Sequence, residues 1–227
     1  MPRSTLFAAL FTALLSTSVS ALSLSELTQQ DASAGLKDAL TQGAEVAVQE
    51  LSAPGGFSNN PDVRIELPGN LGKASRTMKM MGMGSQITQL EDSMNKAAEA
   101  AVPQAQSLLV GAISKMSVQD AKSILTGPAD SATRYLETSS RDQIRALFLP
   151  VVKDATDQVG LAQQYNAFAS QASNFGVVDA KDANIEGYVT ERTLDGLFEM
   201  MAEQEAEIRN NPTEAATSLA KKVFGSL

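Results

Sequence analysis

The chain has 227 residues, 18 basic and 26 acidic side chains for a net charge of −8, and no cysteine, histidine or tryptophan. Missing cysteine excludes a disulfide framework, a thiolate nucleophile and a lipid-modified cysteine tether, and missing histidine removes the usual general base near neutral pH. The cations are few and stand singly along acidic stretches, which argues against nucleic acid as a partner and disfavours anionic membrane surfaces.

Arg3 precedes an uncharged apolar run from Leu6 to Leu15, and the small residues Val19-Ser20-Ala21 follow. This order is that of a secretory signal peptide over residues 1–21, with cleavage between Ala21 and Leu22. A permanent membrane anchor needs about 20 apolar residues, roughly twice this run, so no anchor is expected. The mature chain from 22 to 227 then carries 17 basic and 26 acidic side chains. Its length suffices for one core without covalent staples, and the expected compartment is the periplasm.

Along the mature chain, apolar residues recur at helical spacing. Leu36, Leu40, Ala44, Ala47 and Leu51 make a first stripe. Residues 53–68 break the pattern with Pro54-Gly55-Gly56 and Asn59-Asn60-Pro61, ending in the alternating Val63-Arg64-Ile65-Glu66-Leu67. That segment is expected to lie as an extended strap over the helices, or to pair minimally with a second short strand such as 176–178. Met78, Met80, Met81 and Met83 crowd together next. Thioether clusters hold cuprous ions in some exported proteins, but methionine is more often a filler of irregular core space.

Further stripes run through Ile87, Leu90, Met94 and Ala97, and through Leu108, Leu109 and Ile113. Ile144, Phe148, Val152 and Val159 make another, followed by Leu161, Tyr165 and Phe168, then Leu194, Leu197 and Met201, and last Leu219 and Val223. Ser85, Ser117, Ser140 and Asn211 stand where a side-chain oxygen caps a starting helix, most clearly in Asn211-Pro212-Thr213-Glu214. Gly127, Gly160, Gly176 and Gly225 follow periodic stretches, as helix-ending glycines do. Pro103 and Pro150 interrupt apolar runs and predict a break near Val102 and a kink or break near Leu149. The fold class expected is all-α: a mainly helical orthogonal bundle in a single domain, with one short extended segment near 63–67.

Three patterns bear on chemistry. Ser-x-x-Lys occurs as Ser93 to Lys96 and as Ser218 to Lys221, without the partner motifs that complete a penicillin-recognising site. Residues 182–193 resemble a calcium loop of the EF-hand or dockerin kind, with Asp182, Asn184 and Glu186 at alternate positions. Gly187 stands at the turn, Tyr188 offers a carbonyl, and Thr190 is a further oxygen donor. Thr193 stands where a closing carboxylate belongs, so an acidic helix start is the commoner meaning. Glu199, Glu203, Glu205 and Glu207 suggest either a solvated helix face or a face for a cationic partner.

The words Asp31 to Lys37, Val63-Arg64-Ile65 to Pro68, Met94 to Glu99, Asp120 to Leu125 with Gly127, Gly160-Leu161-Ala162 and Asn184 to Phe198 together resemble a bacterial exported family. It is known as domain-of-unknown-function family 4197. The resemblance implies a signal peptide, a mostly helical fold and a Gram-negative periplasmic setting, and carries no catalytic or ligand residues. The leading expectation is a non-catalytic periplasmic protein that binds an apolar small molecule, a lipid or a protein partner, without a cofactor. Its alternatives are a calcium-stabilised module built on residues 182–193 and a hydrolase built on carboxylates or a Ser-Lys pair.

Overall fold

The computed structural model describes residues 27–117, 119, 121–173 and 184–227. The expected signal peptide over 1–21, Asp182 and the 176–178 segment lie outside the described residues. The described chain is all-α: α1 Gln29–Leu51, α2 Gly69–Met78, α3 Gly84–Lys115, α4 Ala121–Leu125, α5 Ser131–Gln158, α6 Leu161–Ser173, α7 Ile185–Asn210 and α8 Ser218–Phe224. A π-helical turn, Lys79–Met83, joins α2 to α3, and a 3-10 turn, Pro212–Glu214, precedes α8.

The four long helices pack in a ring, α1 on α3, α3 on α5, α5 on α7 and α7 back on α1, with the diagonal contacts much thinner. Each ring helix turns its apolar stripe inward, which is how an amphipathic helix removes that stripe from water. Leu36, Leu40, Leu90, Met94, Leu109, Phe148, Val152, Leu194 and Leu197 are all buried there. Helix α8 lies on α1, and its seat depends on Gly35. A β-carbon at that position would stand 2.5 Å from Val223 Cγ2, far inside van der Waals contact. Thr28 caps α1 by accepting from the Asp31 amide at 3.0 Å.

The prolines do not break their helices. Both α3 and α5 run continuously, through Pro103 and Pro150 respectively. The physical reason is their facing: each proline is on the exposed side, while the buried residues beside them, such as Val102, Ala105 and Phe148, continue the apolar stripe. A missing amide on the wet side leaves its carbonyl partner to water, and burial of the opposite face keeps the helix in register. The actual discontinuity falls at Gly82, with φ of +89° inside the π-helical turn, a left-handed conformation that glycine adopts without strain.

Three of the four expected start caps are also corrected. Ser140 is mid-helix in α5, and Ser85 is the second residue of α3. Asn211 precedes only the 3-10 turn and makes no side-chain cap, while Thr217 caps α8 by accepting from the Ala220 amide at 3.0 Å. Gly160, at φ +64°, does end α5 in the left-handed region.

Residues 53–68 form a strap that is extended only at 64–68, the part before it being a run of turns rather than the extended chain expected, and among the described residues it pairs with no strand. Phe57, Val63, Ile65 and Leu67 plug into the core. Side chains of α3 replace the missing strand partner. Asn95, fully buried, accepts from the Ile65 amide at 2.9 Å and donates to the Ile65 carbonyl at 2.9 Å and the Glu91 carbonyl at 2.7 Å. One amide side chain thus satisfies both backbone groups of a buried extended residue, as a neighbouring strand would. Glu99 accepts from the amides of Phe57 and Ser58 at 3.2 and 3.5 Å, and Glu91 pairs with Arg64 at 3.2 Å.

Candidate functional site

Helices α5 and α7 lie side by side, and their outer edges frame an open cleft of about 540 Å³. On α7, Glu191, Asp195, Phe198, Glu199 and Ala202 recur at helical spacing along one flank. On α5, Thr133, Arg134, Glu137 and Thr138 face them, with Asp130 just ahead of the helix. Phe198 is buried at the floor, and the Arg141 guanidinium stands 5.9 Å from its ring centroid.

Arg141 holds the two helices together beside the cleft. It donates to Glu137 at 2.5 Å, to Glu191 at 2.9 Å and to Asp195, while Arg145 pairs with Glu191 and Arg192 with Asp195 at 2.8 Å. Partial burial opposes the charge on Arg141, but the bonds to Glu191 and Asp195 outweigh it and hold the guanidinium above its ordinary range. Burial likewise works against the Glu191 carboxylate, yet the bonds from Arg141 and Arg145 keep it below the usual carboxylate value.

Glu199 makes no ion pair among the described residues and stands exposed at the cleft lip. It also borders, with Asp195, a smaller depression of about 120 Å³ that reaches Asp62 and Arg64 on the strap. One turn on, Glu203 is pushed above the ordinary range by burial and then by the neighbouring charges of Glu199, Asp62 and Glu50. Carboxylates from α1, the strap and α7 therefore converge on one rim.

Glu205, by contrast, belongs to the interior. It accepts from the Ala132 and Thr133 amides at 3.0 and 2.8 Å, from the Thr133 hydroxyl at 2.8 Å, and from Arg209 at 3.0 and 2.7 Å. Arg209 also donates to the Leu125 carbonyl at 2.6 Å and covers the Phe224 ring at 5.5 Å. This pair caps the start of α5 and ties α4, α7 and α8 to it.

The other residues singled out in the sequence take structural positions. Ser93 donates to Gln164 at 2.9 Å rather than to Lys96, which points into solvent. Lys221 is exposed on α8. Asn184 caps α7 by accepting from the Gly187 amide at 2.9 Å, and the Thr190 hydroxyl donates to the Glu186 carbonyl at 2.7 Å. From Ile185 onward the backbone is helical, so the Tyr188 carbonyl points along the helix axis; the Tyr188 hydroxyl donates to the Glu66 carbonyl at 2.9 Å. Among the described residues no three carboxylates are grouped to hold a metal ion. Met78 and Met83 are buried, at 1% and 8% exposure, while Met80 and Met81 are out in solvent.

Every side-chain polar atom buried among the described residues has a hydrogen-bond partner. No described helix is long and apolar enough to cross a membrane. The Arg141 bridges were missed in the sequence. The i,i+4 spacing of Glu137 with Arg141 was a usable local signal, whereas Glu191 and Asp195 are some fifty residues away and only the packing brings them together.

No curated protein and no solved structure matches the chain. The family described as "Protein of unknown function (DUF4197)" matches residues 26–225, which takes in every described helix. Over nearly its whole length, then, the chain belongs to that family.

Proposed function

We propose that this is an exported, periplasmic, non-catalytic protein that binds a protein partner through the acidic rim of the α5–α7 cleft, taking a basic segment of that partner. The observation that carries the reading is the convergence of Glu199, Glu203, Asp62 and Glu50, like charges from three elements, around Glu199, which borders both the 540 Å³ opening and the 120 Å³ depression beside Asp62. Like charges brought together raise the free energy of the unbound surface, and a cationic partner relieves that repulsion.

Two observations favour a protein partner over an apolar small molecule or lipid in a pocket. The more apolar depressions, beside Leu90 and Phe168 and beside Ile144 and Leu147, are about 210 and 140 Å³. Sites for drug-sized ligands typically occupy about 300 Å³ or more. The buried polar groups are also engaged in holding the fold, which favours surface recognition over catalysis.

The test is titration with a hexalysine peptide followed by backbone amide NMR. Shifts should concentrate on α7 around Glu199 and on the strap near Asp62, and disappear at high salt. Glu199→Gln with Glu203→Gln should weaken binding roughly three- to tenfold. Shifts that are absent, or unaltered by the double substitution, refute the reading. Export is tested separately: the periplasmic protein should begin at Leu22, and a cytosolic product retaining Met1 refutes it.

A further inference from the structure

The α2 end of the molecule is locally basic in an acidic chain. Between Glu66 and Glu91 the chain carries Lys73, Arg76 and Lys79 and no acid, in a protein whose net charge is −8. All three cations are exposed, and none is ion-paired among the described residues. Leu71 and Met78 fix the inner face of α2 at 0% and 1% exposure, which leaves the cations on one outer arc.

At the end of that arc the π-helical turn pushes Met80 and Met81 into solvent, at 77% and 50% exposure. A β-carbon added to Gly82 would meet nothing within 4 Å, so the turn projects beyond its surroundings. Reading the cations one at a time along the sequence hides this grouping.

We infer that α2 and the Lys79–Met83 turn form a peripheral docking surface for anionic phospholipid headgroups. Unpaired lysine and arginine side chains attract phosphate, and each acts within a Debye length of the bilayer surface, about 8 Å at physiological salt. Met80 and Met81 are long, flexible and apolar, and enter the headgroup–acyl boundary without needing a groove. The acidic charge of the remaining surface is screened at larger distances. A second copy of this acidic chain would also supply carboxylates. Joining α2 of one copy to a different face of the next makes a head-to-tail contact, and such a contact closes only into a ring or runs on as a filament. A planar anionic surface meets the same three cations and two methionines with no such constraint. The inference is independent of the α5–α7 cleft.

The experiment is vesicle flotation of residues 22–227, which hold every described helix and the whole described core. The protein should float with phosphatidylcholine–phosphatidylglycerol vesicles at low salt and remain behind with pure phosphatidylcholine. Lys73→Gln, Arg76→Gln and Lys79→Gln together should lower partitioning on the order of 100-fold, from about fivefold per cation. The chain has no tryptophan, so Met80→Trp supplies a single indole whose emission should shift blue on mixed vesicles. Equal flotation with both vesicle types, flotation indifferent to the triple substitution, or an unshifted indole overturns the inference. So does self-association lost in the triple variant without any vesicle binding, which assigns the surface to a second copy.

Discussion

Replacing Glu205 by alanine should be the most destabilising single change in α7, and its size follows from what the carboxylate holds. It is 3% exposed and accepts from two α5 amides, one hydroxyl and Arg209. Its loss strands the Ala132 and Thr133 amides and leaves the Arg209 charge, whose side chain is 10% exposed, without its carboxylate. Breaking a buried pair by removing one partner costs about 3–5 kcal/mol. For a chain of this length that corresponds to a fall in Tm of roughly 6–20 °C. Glu205→Gln keeps an acceptor for the amides and should lose less. The double variant with Arg209→Met should be less damaged than the two single losses added together, by about 1–3 kcal/mol, because the stranded charge goes with its partner. Urea unfolding followed by circular dichroism measures the wild type, Glu205→Ala, Glu205→Gln, Arg209→Met and the double variant with Glu205→Ala. A loss below about 1 kcal/mol for Glu205→Ala, or strict additivity in the cycle, refutes the reasoning.

Asn95→Ala should cost about 2–4 kcal/mol and speed hydrogen exchange at the Ile65 amide; normal protection there with unchanged stability refutes the strand-substitute role. Asn95→Asp retains the acceptor but faces the Ile65 and Glu91 carbonyls with a negative charge, and should be no better in the same assay. Gly35→Ala should lower stability by about 1–3 kcal/mol through overpacking against Val223, and Val223→Ala added to it should restore part of the loss. Glu203→Gln should raise the melting temperature at neutral pH. The raised value means folding disfavours the ionised carboxyl, a penalty fully present above the folded-state value and gone below the unfolded one. The gain should therefore vanish as the pH falls through the ordinary glutamate range. A gain that persists in acid, or a loss at neutral pH, contradicts the crowding of Glu50, Asp62 and Glu199.

The apolar stripes were legible in the sequence because each is a local property: spacing decides which side chains share a face, and the face decides burial. The strap was legible for the same reason, through its prolines, glycines and alternation. The polar pairing was not, and the start of α5 shows why. The sequence places a cap at Ser140, but the helix begins at Ser131, and Asp130 beside it bonds Arg134 at 2.7 Å instead of capping. The oxygen that meets the first amides belongs to Glu205, over seventy residues away. No local pattern carries that information. Asn95 and Ile65 make the same point at a separation of 30 residues. Pro103 and Pro150 are the converse case: a strong local rule yields where the proline faces water and the neighbouring residues stay buried.

The acidic run of α7 separates into three roles once its faces are known. Glu205 points inward and builds the fold, and Glu191 and Asp195 turn sideways to Arg141 and Arg145 and lock α5 to α7. Glu199 and Glu203, one helical turn apart, remain exposed without an ion pair among the described residues. Read as a row of letters, Glu199, Glu203, Glu205 and Glu207 look like one face. The 100° step of the helix puts Glu205 some 200° from Glu203, so they cannot share one. The proposed binding roles therefore fall on residues the fold leaves unused: Glu199 and Glu203 with Asp62 and Glu50 on the acidic rim, and Lys73, Arg76 and Lys79 on α2. Substituting the α2 cations should change binding while leaving the melting temperature nearly as it was, and substituting the acidic rim should change binding without lowering it. Substituting Glu205, Asn95 or Arg141 should do the reverse.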